Sequence, residues 1–175
     1  MENLKLEFGA GGASERPGYK TVDIRPEPGV DYVCPAWQIN SHIEDNSVSE
    51  IYSRHFFEHL TFQQGRVVLD QWYNILVPGG LMEMMLPNMD LHIAQFQADP
   101  THEHGLAGIY GWQRGVFDDT WDCHKSGYNW TSLHKLLKQH GYDNIVNHKK
   151  PLQNKTTSTL IVSYLIFIGM SCMVF

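Results

Sequence analysis

Asp23 and the glycines upstream of it are the residues whose types and spacing most directly suggest chemistry. The run "KLEFGAGG" ends in Gly9, Gly11 and Gly12, and about a dozen residues later "KTVDI" ends near Asp23. Glycine has no Cβ, so the backbone there approaches a ligand closely. A carboxylate at the end of the next strand offers acceptors to both hydroxyls of a ribose. Ligands of parallel sheets bind beyond the carboxyl ends of the strands. The pair therefore reads as a nucleotide site, although a glycine pattern by itself also describes a tight turn.

A second group lies far along the chain. His124, in "DCHKSGYNW", has a side chain that titrates near neutrality. It is either a general base for an acceptor hydroxyl or a group that caps the next helix or pins its loop. Tyr110, Trp112, Phe117, Trp121, Tyr128 and Trp130 surround it in sequence. Such rings stack on flat or sugar-like substrates, or form a satellite hydrophobic cluster. His102 and His104 in "THEHG" would face one way on a strand, but no third ligand is in register, and no metal is assigned. Cys34, Cys123 and Cys172 share no metal spacing and make no even disulfide framework, which suits a reducing cytoplasm.

The elements that must position these groups alternate between strand and helix. Short apolar runs predict strands over residues 4–8, 20–24, 30–34, 49–53 and 81–87. Thr61 and Gln64 have capping-box spacing, and Phe62, Leu69, Trp72 and Leu76 recur at helical intervals. "VPGG" is expected to end that helix. "TSLHKLLKQHGY" predicts a second helix, capped by Thr131 or Asn129 and closed by Gly141. "DNIVNHKK" and the apolar tail, residues 160–175, supply the last strands, with Gly169 as a bend or bulge. Residues 88–130 read as irregular. The alternation implies an α/β protein with a largely parallel sheet in one domain of 175 residues.

"LEFGAGG", "VDI", "EIYSRHFFEHL", "ILVPGGLMEMMLP" and "HKSGYNWTSLHKLLKQHGYDNI" resemble, in order, the motifs of the class I S-adenosylmethionine-dependent methyltransferase family, its type 11 members in particular. The resemblance runs over nearly the whole chain. It implies a Rossmann-like seven-stranded, mostly parallel sheet with an antiparallel last strand, and S-adenosyl-L-methionine as cofactor. Carried over residue by residue, it implies that Glu7 and the backbone of Phe8, Gly9, Ala10 and Gly11 hold the methionine end. Asp23 would bind the ribose and Ile24 would pack on the adenine. Ala36 and Trp37 would border the adenine, and Ser53 to His55 the methionine side. Residues 88–130 fall where the family places substrate-binding insertions. Glu58 and His59 read as structural.

Two departures stand out. Pro35 takes about the place of the acid that contacts the adenine amino group in the family, and it has no side-chain acceptor. The connections from Gly12 to Thr21 and through "RPEPGV" are too short for crossover helices, so one face of the sheet has its helices reduced. A parallel sheet is ordinarily buried on both faces, which leads us to expect cover from the 88–130 segment or from a second subunit in a homodimer.

The formal charge of −6 argues against a nucleic-acid-binding surface. The chain enters a strand at once, without a signal peptide, and its apolar tail is short for a membrane span. We therefore expect a cytoplasmic protein with no membrane and no nucleic-acid partner. It would transfer a methyl group to an oxygen or nitrogen of a small molecule or glycan. The alternatives are a non-catalytic scaffold of the same fold and a nicotinamide-dependent oxidoreductase, whose fingerprint wants a third glycine opening a helix.

Overall fold

A computed structural model describes residues 4–114, 121–148 and 159–165, with the backbone alone for His148 and 159–165. The strands are β1 (Leu4–Phe8), β2 (Lys20–Asp23), β3 (Tyr32–Val33), β4 (Val48–Arg54), β5 (Leu76–Pro87), β6 (Ile145–His148) and β7 (Thr159–Leu165). The helices are α1 (Phe62–Ile75), α2 (Met89–Ala98), α3 (Glu103–Tyr110) and α4 (Trp130–Gln139). Two short 3-10 turns, Ala36–Ser41 and Phe57–His59, follow β3 and β4.

The strands form one seven-stranded sheet in the order β3-β2-β1-β4-β5-β7-β6. β1 to β5 are mutually parallel, and β7 runs antiparallel between β5 and β6. This is the architecture expected from the sequence. The strand order reverses between β1 and β4, the place where an open α/β sheet leaves a crevice.

One face carries the core. Leu6 and Phe8 of β1, Val22 of β2, Ile51 of β4, and Met82, Met84 and Leu86 of β5 are all buried there. Against them pack Ile39, the α1 stripe Val68, Leu69, Trp72 and Ile75, and Leu133, Leu136 and Leu137 of α4. Trp72 is fully buried, with its ring centroid 4.7 Å from that of Phe8. Burying a side chain of this size stabilises by about 3 kcal/mol. α1 starts where the capping box predicts, with Thr61 Oγ1 accepting from the Gln64 amide. Asn129, paired with Ser132, caps α4.

The other face has no helix among the described residues. β1 joins β2, and β2 joins β3, through loops alone. On β1 and β4 the residues pointing this way include Lys5, Glu7, Glu50 and Tyr52, and several of them pair with each other or with side chains of the β1–β2 loop. Lys5 Nζ lies 2.5 Å from Glu50, Tyr19 Oη donates to Glu50 across 2.6 Å, and Arg16 donates to Glu83 across 3.1 Å. The Arg16 guanidinium sits 3.4 Å above the ring of Tyr52, a cation–π contact. The loop from β1 to β2, through Arg16 and Tyr19, thus lies over the face. No residue of the 88–130 segment is among these partners. Burial of apolar surface was the physical reason to expect a second subunit here; polar pairs occupy the part of the face formed by β1 and β4.

Three expectations are corrected. Residues 88–130 are not irregular, since they contain α2 and α3. α2 is nearly uniform in polarity around its circumference, so it shows no periodic stripe. His102 and His104 lie on no strand: His102 caps α3, with Nδ1 accepting from the Gly105 amide. "VPGG" does not stop α1, which ends at Ile75. Those residues instead make an irregular start to β5, where pairing jumps from Val48↔Leu76 to Glu50↔Leu81. Gly79, at φ +78°, lets the extra residues turn within the strand. Phe117 and Gly169 lie outside the described residues. No described helix is long and apolar enough to cross a membrane.

Candidate functional site

The crevice at the β1/β4 reversal opens into a cleft with two adjoining halves of about 460 and 420 Å³. His55, His59, Arg114 and Asp122 line both halves. The first half sits beyond β1 and β2 and is walled by Gly9, Asp23, Ile24, Arg25, the Cys34–Trp37 run and Trp121, among others.

Gly9 is required by this geometry. Its φ is +73°, and a Cβ there would come within 2.4 Å of Phe56 Cδ2. The turn therefore passes close over Phe56 and leaves a backbone wall. Asp23 is buried and already holds the turn together. Its Oδ2 accepts from the Gly11 amide at 2.9 Å, and its Oδ1 accepts from the Arg25 amide at 2.9 Å. Arg25 Nε approaches Oδ1 at 3.3 Å. Oδ1 already accepts from both the amide and Nε of Arg25, whereas Oδ2 retains lone-pair capacity for a further donor such as a ribose hydroxyl. Ile24 is 40% exposed in this half, a solvent-facing apolar side chain suited to a flat ring.

Of the site residues expected from sequence, Gly9, Asp23, Ile24, Ala36, Trp37 and His55 line the first half. Glu7, Phe8, Ala10, Gly11 and Ser53 do not. Glu7 points to the helix-free face, because residues alternate along β1, and its carboxylate accepts a hydrogen bond from Ser14 Oγ. Phe8 and Ser53 are buried in the sheet. Pro35 stands in the cleft wall and starts the 3-10 turn, as the sequence departure implies.

The second half is lined by His55, His59, His92, His104 and His124, with Glu58, Trp112 and others. His124 Nδ1 lies 3.1 Å from the Gly108 carbonyl, so its fixed ring presents Nε2 as the remaining nitrogen. Burial lowers its pKa, which favours the neutral form. His59 is fixed the same way, with Nδ1 3.1 Å from the Cys123 carbonyl. The two imidazoles meet edge to face at 5.0 Å. His55, at the end of β4, has φ +49°, an uncommon backbone state for a non-glycine residue. Arg114 and Asp122 form a two-pronged ion pair of 2.6 and 3.0 Å at the junction of the halves.

Sequence reasoning missed Arg25, Arg114 and Asp122, and it read Glu58 as structural only. Nothing in their spacing announces the first three. For Glu58 a signal existed: "HFFEH", residues 55–59, is an H-x-x-E-H run.

No family model matches the sequence, and no curated protein matches it. Solved structures do match. A SAM-dependent methyltransferase from Archaeoglobus fulgidus superposes with a TM-score of 0.59 at 13% identity, over 93% of this chain and 86% of that one. One from Methanosarcina mazei gives 0.61 at 12% identity, over 95% and 94%. The Burkholderia thailandensis 1,6-didemethyltoxoflavin-N1-methyltransferase, with bound 1,6-didemethyltoxoflavin and S-adenosylhomocysteine, gives 0.62 at 9% identity, over 95% and 72%. At such identities the likeness is one of fold.

Proposed function

We propose that this chain, which has the class I S-adenosylmethionine-dependent methyltransferase fold, binds S-adenosylmethionine in the first half of its cleft and transfers the methyl group to an acceptor in the second. The observation that carries the reading is the buried Asp23 carboxylate, joined to the glycine turn at the point where strand order reverses.

The residues present fit the cofactor in most respects. The Gly9 turn is a cradle that a Cβ would fill. Asp23 would accept from the ribose, and Ile24 and Trp37 would flank the adenine. Glu7 is turned away and Pro35 offers no acceptor, so adenine and the amino group would be held by backbone groups and apolar packing. When bound, S-adenosylmethionine supplies a methyl group already activated by the sulfonium.

Alignment of the acceptor with that methyl is then the main task of the protein. The acceptor's lone pair would form the new bond as the methyl–sulfur bond broke, with the electron pair left on sulfur. His124, neutral and fixed by Gly108, is available through Nε2 to take the acceptor's proton. Trp112, half exposed at the second half, suits a flat or sugar-like small molecule whose oxygen or nitrogen is methylated.

Calorimetric titration with S-adenosylhomocysteine tests the reading, with Asp23→Ala and NADH as controls. Micromolar binding, lost in the variant and absent with NADH, supports it. Absence of binding would overturn it and leave a scaffold of the same fold.

A further inference from the structure

Alignment of a methyl acceptor does not call for five histidines in one half-cleft. Glu58 gives their presence a physical reason. Its side chain is 2% exposed, yet neither carboxylate oxygen accepts a hydrogen bond from the described residues. A buried carboxylate without partners is strongly disfavoured. His55 Nδ1 lies 3.4 Å from Oε1, but its ring is half exposed to solvent.

The other neighbours are His59 and His124. One ligand atom from each of Glu58, His59 and His124 lies within 4.8 Å of the others. A carbonyl only accepts, so the Nδ1 atoms facing Cys123 and Gly108 carry the ring protons. Both Nε2 atoms are left with lone pairs. The three side chains converge, and each imidazole keeps one unprotonated nitrogen for an incoming cation. Backbone carbonyls holding the distal N–H groups are also what orients metal-bound histidines.

We propose that Glu58, His59 and His124 form a binding site for a divalent first-row transition cation, zinc in the first instance, in the acceptor half of the cleft. Two imidazoles and one carboxylate suit zinc and leave a fourth position open. Magnesium and calcium favour all-oxygen shells. Ligand atoms around a tetrahedral zinc sit about 3.3 Å apart, given bonds of about 2.0–2.1 Å. The three ligand atoms, within 4.8 Å of one another, would have to draw together on binding. In a regular helix an H-x-x-E-H run presents both histidines to the metal. Here the positive φ of His55 and the short Phe57–His59 turn bring Glu58 and His59 to His124 instead. With the cation bound, His124 Nε2 would be a ligand and no longer a base, and an acceptor hydroxyl in the open position would instead lose its proton to solvent more readily. That role rests on the methyl-transfer reading, whereas the metal binding does not.

The test is titration of chelator-treated protein with Co²⁺, read by ligand-field absorption, and with Zn²⁺, read by competition against a chromophoric chelator. One equivalent should bind with micromolar or tighter affinity. Glu58→Gln, His59→Asn and His124→Asn should each weaken it by about 10- to 100-fold or more, while the exposed His42→Asn keeps it. Circular dichroism reports whether each variant folds; if a buried-site variant does not, His59→Asn, at a half-buried ring, carries the test. No stoichiometric binding would overturn the proposal and leave His55, 3.4 Å away, as the neighbour that accounts for the buried Glu58. Binding unchanged in His59→Asn would overturn it by assigning the metal to other histidines. The metal titration requires no S-adenosylhomocysteine, so the two readings fail separately.

Discussion

The amide of Gly11 donates a 2.9 Å hydrogen bond to Oδ2 of Asp23, tying the turn after β1 to the end of β2. One carboxylate therefore both shapes the cradle and faces the ligand half of the cleft. Asp23→Ala removes an acceptor from two backbone amides, Gly11 and Arg25, and, in the proposed function, from the cofactor's ribose. A hydrogen bond to a charged group contributes about 1.5–3 kcal/mol. Calorimetry should show S-adenosylhomocysteine binding weakened by about 100-fold or more, and urea unfolding a stability loss of about 2 kcal/mol. Unchanged affinity would remove Asp23 from the site.

Two glycines with similar backbone angles should behave differently. Gly9→Ala combines φ +73° with a Cβ 2.4 Å from Phe56, whereas Gly18→Ala has φ +80° in open space. The second costs about 1 kcal/mol from backbone strain. The first adds an overpacking cost, for about 3 kcal/mol together. Denaturant midpoints of the two variants, measured side by side, check the ordering.

The polar face of the sheet should make stability depend on pH at both extremes. Hydrogen bonds from Lys5 and then Tyr19 hold the Glu50 carboxyl below its ordinary value. Its contribution is complete above pH 4.5 and is lost as pH falls through the lowered value. Burial, then the hydrogen bond to Glu50, pushes the Tyr19 phenol up to about 12. Its contribution is complete below pH 10 and is lost as pH rises toward 12. Each is worth about 1 kcal/mol or less at such a partly exposed site. Unfolding across pH should show a flatter acid limb for Glu50→Gln and a flatter alkaline limb for Tyr19→Phe.

Thr61→Ala separates stability from ligand binding. It breaks the reciprocal cap with Gln64 at the start of α1 and should cost about 1 kcal/mol. Thr61 does not line the cleft, so the S-adenosylhomocysteine affinity of the folded variant should match that of the parent.

Local patterns carried much of the fold. The Thr61/Gln64 box, the Leu69 and Trp72 spacing and the short apolar runs each report on neighbours within a few residues, and they predicted α1 and most strands. α2 escaped because it has no apolar stripe, and "VPGG" misled because a strand can absorb those residues as an irregular start. The sequence by itself determined that the crossovers after β1 and β2 lack helices, because too few residues separate the strands. It also set a glycine turn and Asp23 at adjacent strand ends. Only the tertiary structure decided which face Glu7 points to, since that depends on strand phase relative to the core. Only it brought Glu58 and His59 to His124, 65 residues further on than His59, by packing the segment after α3 against the turn after β4. Contacts between residues so distant in sequence leave no periodicity or spacing to read.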